Sequence, residues 1–129
     1  MPDLFLVFNH KITFQQEEDA RRSLEVGRIV DLPPGFKDLW KSVPPELPEI
    51  TGYLEPVKKW LGDNAAPSDY VLIQGDFGAC FIMVNFAIAN GLIPVYATTD
   101  RNAAEEHGID GSVTLVHRFQ HQIFRKYGI

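Results

Sequence analysis

The sequence has a single cysteine, Cys80, and no surplus of positive charge. One cysteine excludes an internal disulfide and a zinc site built from several cysteines, and it fits a reducing cytoplasm. The chain carries 12 lysines and arginines against 17 aspartates and glutamates, which gives a net charge of −5. This balance argues against binding to duplex nucleic acid or to an anionic membrane surface. Binding of a small anionic ligand remains possible, because it needs only local positive charge and backbone N–H groups.

A long apolar segment is also missing. The longest apolar run, 79–89, is interrupted by Asn85 and is about half of the roughly 20 residues that a membrane span needs. The apolar start of the chain is short and lacks the basic residues of a signal peptide, so we expect a cytoplasmic protein. Spacings typical of metal ligands, such as His-x-x-His, do not occur, and we expect neither a metal nor a cofactor.

Alternating strand and helix patterns predict an α/β fold. The 129 residues, 45% apolar and 22% charged, suit one globular domain spanning 1–129. Hydrophobic patterning predicts strands at 4–8, 28–32, 70–74, 92–96 and 112–119. It predicts helices at 14–25, 53–61, 79–90 and 102–107, with a helical turn near 36–41 inside a proline-rich stretch, 33–48. This order predicts a three-layer Rossmann-like domain with a mostly parallel sheet of five or six strands, ordered 2-1-3-4-5.

Three loops should meet above the carboxyl ends of the strands, where open α/β sheets bind ligands. They are Asn9-His10-Lys11, Gln74-Gly75-Asp76-Phe77-Gly78-Ala79 and Ala97-Thr98-Thr99-Asp100-Arg101. The second loop places glycines at a helix start, which favours a phosphate cradle built from backbone N–H groups. The alternative is an ordinary turn with Asp76 as the helix N-cap.

The polar side chains of the other two loops have similar alternatives. Arg101 suits a bidentate phosphate contact and Lys11 a point charge, or both are solvated surface charges. Thr98 and Thr99 bond a phosphate, or Thr99 caps the helix predicted at 102–107. His10 is of a residue type suited to proton transfer, or it is a partly buried histidine bonded to backbone.

The segment predicted as a helix at 79–90 is apolar nearly all round. A helix on the outside of a three-layer domain should show a polar face. The surplus of apolar residues on this helix predicts that it contacts a partner, and a second copy of the chain is the simplest partner. The alternative is burial of this helix beneath the proline-rich stretch.

Four segments carry a resemblance that spans nearly the whole chain. The segments 6–13, 69–79, 91–101 and 121–127 resemble a small CRISPR-associated accessory family of the Csx type. That family is similar to the CRISPR-associated Rossmann-fold (CARF) sensor domains that bind cyclic oligoadenylates. The resemblance implies a homodimeric ring nuclease of type III systems, which cleaves the second messenger cyclic tetra-adenylate and switches off the antiviral response.

The same resemblance implies a mechanism and a set of site residues. The ribose 2′-hydroxyl attacks its adjacent phosphate without a metal, giving linear di-adenylate with a 2′,3′-cyclic phosphate. The implied catalytic residues are His10 for proton transfer, Arg101 for transition-state charge, and Asp76 for orienting the loop or the ribose. The implied ligand contacts are Asn9, His10, Lys11, Gln74, Gly75, Asp76, Phe77, Gly78, Ala79, Thr98, Thr99 and Arg101. Two alternatives stay open: a cyclic-oligoadenylate sensor or sponge that does not cleave, and a flavodoxin-like domain that binds a mononucleotide.

Overall fold

The computed structural model describes residues 1–128, apart from the side chains of 101–104 and 116–119. The strands within this range are β1 (Leu4–Val7), β2 (Ile29–Asp31), β3 (Tyr70–Ile73), β4 (Ile93–His107) and β5 (Val113–Lys126). The helices are α1 (Phe14–Ser23), α2 (Pro34–Lys41), α3 (Glu55–Asn64) and α4 (Phe77–Ala89). None of these helices is long and apolar enough to cross a membrane.

The five strands form one sheet in the order β2-β1-β3-β4-β5. The first four strands in this order are parallel, and β5 runs antiparallel to β4 at the edge. The predicted α/β class, the mostly parallel sheet and the strand order are therefore confirmed. The antiparallel edge strand follows directly from β4 through a tight hairpin, which needs no crossover helix.

Each face of the sheet has its own hydrophobic core. On one face, Phe5 and Ile73 pack with Trp40 of α2 and Met83 of α4. On the other face, Leu4, Leu6, Leu72 and Val95 pack with Ala20 of α1. Because β1 and β3 are covered by helices on both faces, all four residues of β1 are buried.

Local signals in the sequence place the helix ends. Thr13 accepts a hydrogen bond from the backbone N–H of Gln16, whose side chain bonds back to Thr13, and this capping box starts α1. Asp76 accepts from the backbone N–H of Ala79 at 3.0 Å, and α4 starts at Phe77. Gly91, with φ of 73°, follows the end of α4, where the left-handed conformation suits glycine.

The helix predicted at 102–107 is wrong. This segment continues β4, and its residues pair in register with β5 as far as His107 and Val113. Ala103, Ala104, Glu105 and Glu106 favour a helix by intrinsic propensity, but pairing with the β-rich segment 113–119 overrides that preference. We call the paired segments 99–107 and 113–121, with their connecting turn, the arm.

Candidate functional site

A cavity of about 550 Å³ lies at the carboxyl end of β3, beside the start of α4. Its lining is mostly apolar and includes four aromatic side chains. The lining residues are Gln74, Gly75, Phe77, Cys80, Phe81, Val84, Asn85, Tyr96 and Tyr127. An apolar cavity with a few polar groups at this edge of an α/β sheet is typical of a small-molecule site.

The start of α4 forms one rim of this cavity. Asp76 uses its carboxylate to cap the backbone N–H of Ala79, as the alternative interpretation of this loop expected. The preceding N–H groups, of Phe77 and Gly78, belong to the first turn of the helix, where no intrahelical acceptor exists. Gly75, Phe77 and Gly78 are all exposed, so an anion can approach this turn.

Close packing fixes the backbone just before the helix. The indole Nε1–H of Trp40 donates to the carbonyl oxygen of Gln74 at 2.9 Å. A Cβ atom at Gly75 would lie only 2.7 Å from Trp40 Nε1, so the glycine is required by this contact. The side-chain oxygen of Gln74 accepts from the backbone N–H of Ala97 at 2.7 Å and ties the loop to β4.

Two tyrosines line the opposite wall, and an arginine contacts one of them from beside the cavity. The rings of Tyr96 and Tyr127 lie 4.9 Å apart, and the Tyr127 hydroxyl donates to the carbonyl of Ile73 at 2.5 Å. Arg125 donates to the Tyr96 hydroxyl at 2.9 Å and lies over its ring, 5.5 Å from the centroid. Our site prediction did not include Arg125, although its position opposite Tyr96 in the hairpin places a cation beside the cavity.

Burial keeps two groups on this wall protonated near neutral pH. Desolvation, with the neighbouring Cys80, raises the pKa of Tyr127 to about 12. Burial also raises the pKa of the Cys80 thiol. Neither side chain is therefore a ready nucleophile or base, since the thiolate is the reactive form of cysteine.

Only part of the predicted site lines this cavity. Gln74, Gly75 and Phe77 do so, whereas Asp76 and Gly78 border a neighbouring cavity of about 300 Å³ beneath the proline-rich segment 43–50. Ala79 is buried, and its N–H is occupied by Asp76.

The β1–α1 loop contributes none of the residues that line the cavity. His10 and Lys11 are exposed and Asn9 is half-buried. The His10 ring packs edge-on against Phe8, 5.3 Å between centroids, and Phe8 belongs to the core on the α1 face. The structure thus separates His10 from the aromatic cavity, which opens beside α4.

The third predicted loop does not exist, because β4 runs straight through it. Thr98 exchanges hydrogen bonds with the backbone of Ile123, and Thr99 is an exposed strand residue rather than a helix cap. The side chain of Arg101 lies outside the described part of the chain. Its backbone stands four residues beyond Ala97, about 13 Å past the level of Gln74.

A buried pair on the α1 face is a feature that sequence reasoning missed. His121 Nε2 lies 2.7 Å from Asp19 Oδ2, and their side chains are only 4% and 12% exposed. Desolvation alone would raise the pKa of Asp19, but hydrogen bonds from Ser23 and His121 outweigh it and lower that pKa. Strand β5 turns His121 inward against α1.

The described side chains include no cluster of three or more histidines, cysteines, aspartates or glutamates that could hold a metal ion. The groups that line the cavity offer hydrogen bonding and aromatic stacking, and Arg125 places a charge beside it.

Fold and site together define an α/β protein of Rossmann-like topology, with an aromatic cavity at the carboxyl edge of its sheet. The chain belongs to the family described as the uncharacterized protein MJ1673 family, whose sequence profile matches residues 2–125. It is 48% identical over 127 residues to the uncharacterized protein MJ1673 of Methanocaldococcus jannaschii, and the alignment covers 98% of each chain. No solved structure matches it. These matches name no ligand or activity, so the resemblance to CRISPR-associated proteins stays a prediction.

Proposed function

We propose that this chain binds a cyclic oligoadenylate, with cyclic tetra-adenylate as the first candidate, and cleaves it as a metal-independent ring nuclease. The observation that carries the proposal is the position of the aromatic cavity directly beside the first turn of α4. The cavity thus offers an aromatic surface for a base next to hydrogen-bond donors for a phosphate. A nucleotide contains both of these groups.

The base is assigned to the aromatic wall. Tyr96, Tyr127 and Phe77 present ring faces or edges within a cavity of about 550 Å³, large enough for an adenine. Stacking of a base on an aromatic side chain contributes about 1–3 kcal/mol. The phosphate is assigned to the backbone N–H groups that begin α4 and to Arg125, a donor that can form two parallel bonds to phosphate oxygens.

A homodimer supplies the symmetry that a ring of four nucleotides requires. Helix α4 has no charged residue over its 13 positions, and it exposes 95% of Phe77 and 71% of Phe81. A two-fold interface packs the same surface of both subunits together. Because the surface of α4 carries no charge, two copies of it can pack together without repulsion between like charges. Two cavities related by such an axis match the two-fold symmetry of cyclic tetra-adenylate.

The cleavage step needs positioning more than reactive side chains. The 2′-oxygen forms a bond to phosphorus, the bond from phosphorus to the 5′-oxygen breaks, and the 2′-hydroxyl proton is lost while the leaving oxygen gains one. The protein must hold these three atoms in line and stabilise charge on the phosphorane. We assign transition-state charge to Arg101, whereas His10, to which the resemblance assigns proton transfer, does not line the cavity of its own chain. Asp76 acts by fixing the start of α4 that holds the phosphate.

A second candidate, binding without cleavage, is favoured by two observations. The polar side chains of the β3–α4 loop already have structural partners, because Gln74 bonds Ala97 and Asp76 caps Ala79. His10, the proposed proton-transfer group, does not line the cavity. A sensor or sponge uses the same cavity and the same dimer but releases the ring intact.

Incubation of the purified protein with radiolabelled cyclic tetra-adenylate in excess EDTA tests both candidates. Conversion to linear di-adenylate with a 2′,3′-cyclic phosphate supports the ring nuclease, and tight binding without conversion supports the sponge or sensor. Arg125→Gln should weaken binding at least about 10-fold, as loss of one charged contact of about 1.4 kcal/mol predicts. Lys126→Gln, an exposed neighbour on the same strand, is the matched control. Absence of both binding and conversion contradicts both candidates and favours a mononucleotide-binding domain.

A further inference from the structure

A second cavity, of about 300 Å³, adjoins the start of α4. Alternate residues of this turn line the two cavities. Gly75 and Phe77 border the aromatic cavity, whereas Asp76 and Gly78 border the second one. The two cavities share no lining residue among those that the structure describes. The start of α4 therefore separates them, and a group bound to its free N–H donors has a cavity on either side.

The walls of the second cavity come mostly from the proline-rich segment 43–50, which is anchored at both ends. The Tyr53 hydroxyl lies 3.1 Å from the carbonyl oxygen of Ser42, just before the segment. The backbone N–H of Leu54 donates to the carbonyl of Ile50, its last residue, at 3.1 Å. The cavity is therefore formed before any ligand binds. The segment lines it with Val43, Pro44, Pro45, Leu47, Pro48 and Ile50.

Asp76 supplies the acceptor of this cavity. One carboxylate oxygen, Oδ2, accepts from the backbone N–H of Ala79 at 3.0 Å. The other, Oδ1, accepts no hydrogen bond from the residues that the structure describes. A carboxylate oxygen between apolar walls repels a phosphate but suits a flat group that carries an N–H donor. The exocyclic amino group of adenine is such a donor.

We propose that the second cavity holds the base of a second adenosine, joined through the phosphate that lies at the start of α4. This inference rests on the proposed function, which places one base in the aromatic cavity and that phosphate beside it. Every phosphate of an oligoadenylate joins two nucleosides, so the second nucleoside must lie within reach of the same turn. Asp76 Oδ1 accepts from its amino group. Each chain then holds two adenines, and a dimer holds the four of cyclic tetra-adenylate.

This arrangement gives the proline-rich segment a role in positioning. Attack of the 2′-oxygen requires that it, the phosphorus and the leaving 5′-oxygen lie in line. These atoms belong to the two nucleosides on either side of one phosphate. Holding both bases restricts rotation about the bonds between them, which holding one base does not.

A linear di-adenylate of 2′-deoxyribose tests the second base site without the ring, the dimer or cleavage. It has one phosphodiester charge and no 2′-hydroxyl. The comparison compounds are the methyl esters of 3′- and 5′-deoxyadenosine monophosphate, which have the same charge but one base. In calorimetric titration the di-adenylate should bind at least about 10-fold tighter than either ester, because a second base is buried and bonded. Equal affinities, or no measurable binding of the di-adenylate, overturn the inference.

Asp76→Asn separates contact with the base from capping of the helix. Asparagine caps a helix about as well as aspartate, so the midpoint of urea unfolding should stay close to that of the wild type. Its amide N–H group then faces the amino group of the base, and affinity for the di-adenylate should fall at least about 10-fold. The esters should bind no more weakly than before. Glu49→Gln, which removes a carboxylate of the same segment outside the cavity, is the matched control.

The outcomes for the second base site and for the proposed function differ. If Asp76→Asn binds all three compounds more tightly, the carboxylate only repels the phosphate and the inference is overturned. Undiminished binding of cyclic tetra-adenylate by Asp76→Asn also overturns it, and leaves the proposed function standing. Selective binding of the di-adenylate, lost in Asp76→Asn, by a protein that does not bind the ring supports the second base site and refutes only the proposed function.

Discussion

Gly75→Ala should destabilise the protein by about 2–4 kcal/mol, because the new Cβ would overlap a buried indole. The Cβ would lie 2.7 Å from Trp40 Nε1 and 3.0 Å from Cε2. Trp40 is 2% exposed and held by core residues, so its ring cannot swing away freely. Overpacking costs about 1–3 kcal/mol, and loss of the hydrogen bond to Gln74 adds about 0.5–1.5 kcal/mol. This loss is a large share of the free energy of unfolding of a typical domain, which is about 5–15 kcal/mol.

Urea unfolding followed by tryptophan fluorescence measures the change. Gly78→Ala is the matched control, since its Cβ would meet Asp76 and Ile50 at ordinary distances of 3.5 and 3.6 Å. This control should be neutral or stabilising by up to about 1 kcal/mol, because alanine favours a helix. Surface substitutions that disturb nothing usually change the free energy of unfolding by less than about 0.5 kcal/mol. If Gly75→Ala changes it by no more than about this amount, the tight contact between the loop and Trp40 is wrong.

Three further substitutions test contacts elsewhere. Asp76→Ala should cost about 1 kcal/mol through loss of the α4 cap, measured by thermal unfolding. Asp19→Asn should cost about 1–3 kcal/mol at pH 7 by weakening the contact with His121. Because the folded pKa of Asp19 is lowered, this difference should shrink as pH falls below 4, and a pH-independent difference contradicts a role for the Asp19 carboxylate in this contact. Tyr127→Phe should cost about 1 kcal/mol by removing the bond to the Ile73 carbonyl. Since the pKa of Tyr127 is raised from 10 to about 12, the wild type should lose this advantage only above pH 10.

Patterns confined to a few neighbouring residues were sufficient to predict most of the fold. The apolar runs of β1 and β3, the capping box at Thr13 and the stop at Gly91 each depend on local chemistry, and each appears where expected. The segment after Asp100 was misread because its alanines and glutamates favour a helix locally. Its state is decided instead by pairing with residues that follow 6 to 18 positions later.

The candidate site was predicted less well for the same reason. The loop at Gln74–Gly78 follows from the glycines and lies at the predicted edge of the sheet. The aromatic wall depends on the hairpin register, which brings Arg125 opposite Tyr96 and Tyr127 beside it. That register could not be derived while a helix was expected between the two strands. The loop predicted at 97–101 was wrong for the same reason, because β4 continues through it.

Calorimetric titration of the wild-type protein with cyclic tetra-adenylate, at physiological salt and with EDTA, tests the central claim most directly. The account predicts saturable binding of one ring per two chains, at least about 100-fold tighter than adenosine monophosphate, since two cavities share one ring. The Arg125→Gln variant should lose affinity while Lys126→Gln keeps it. Equal affinity for the ring and the mononucleotide, or no heat of binding with either, would contradict the assignment of this cavity to a cyclic oligoadenylate.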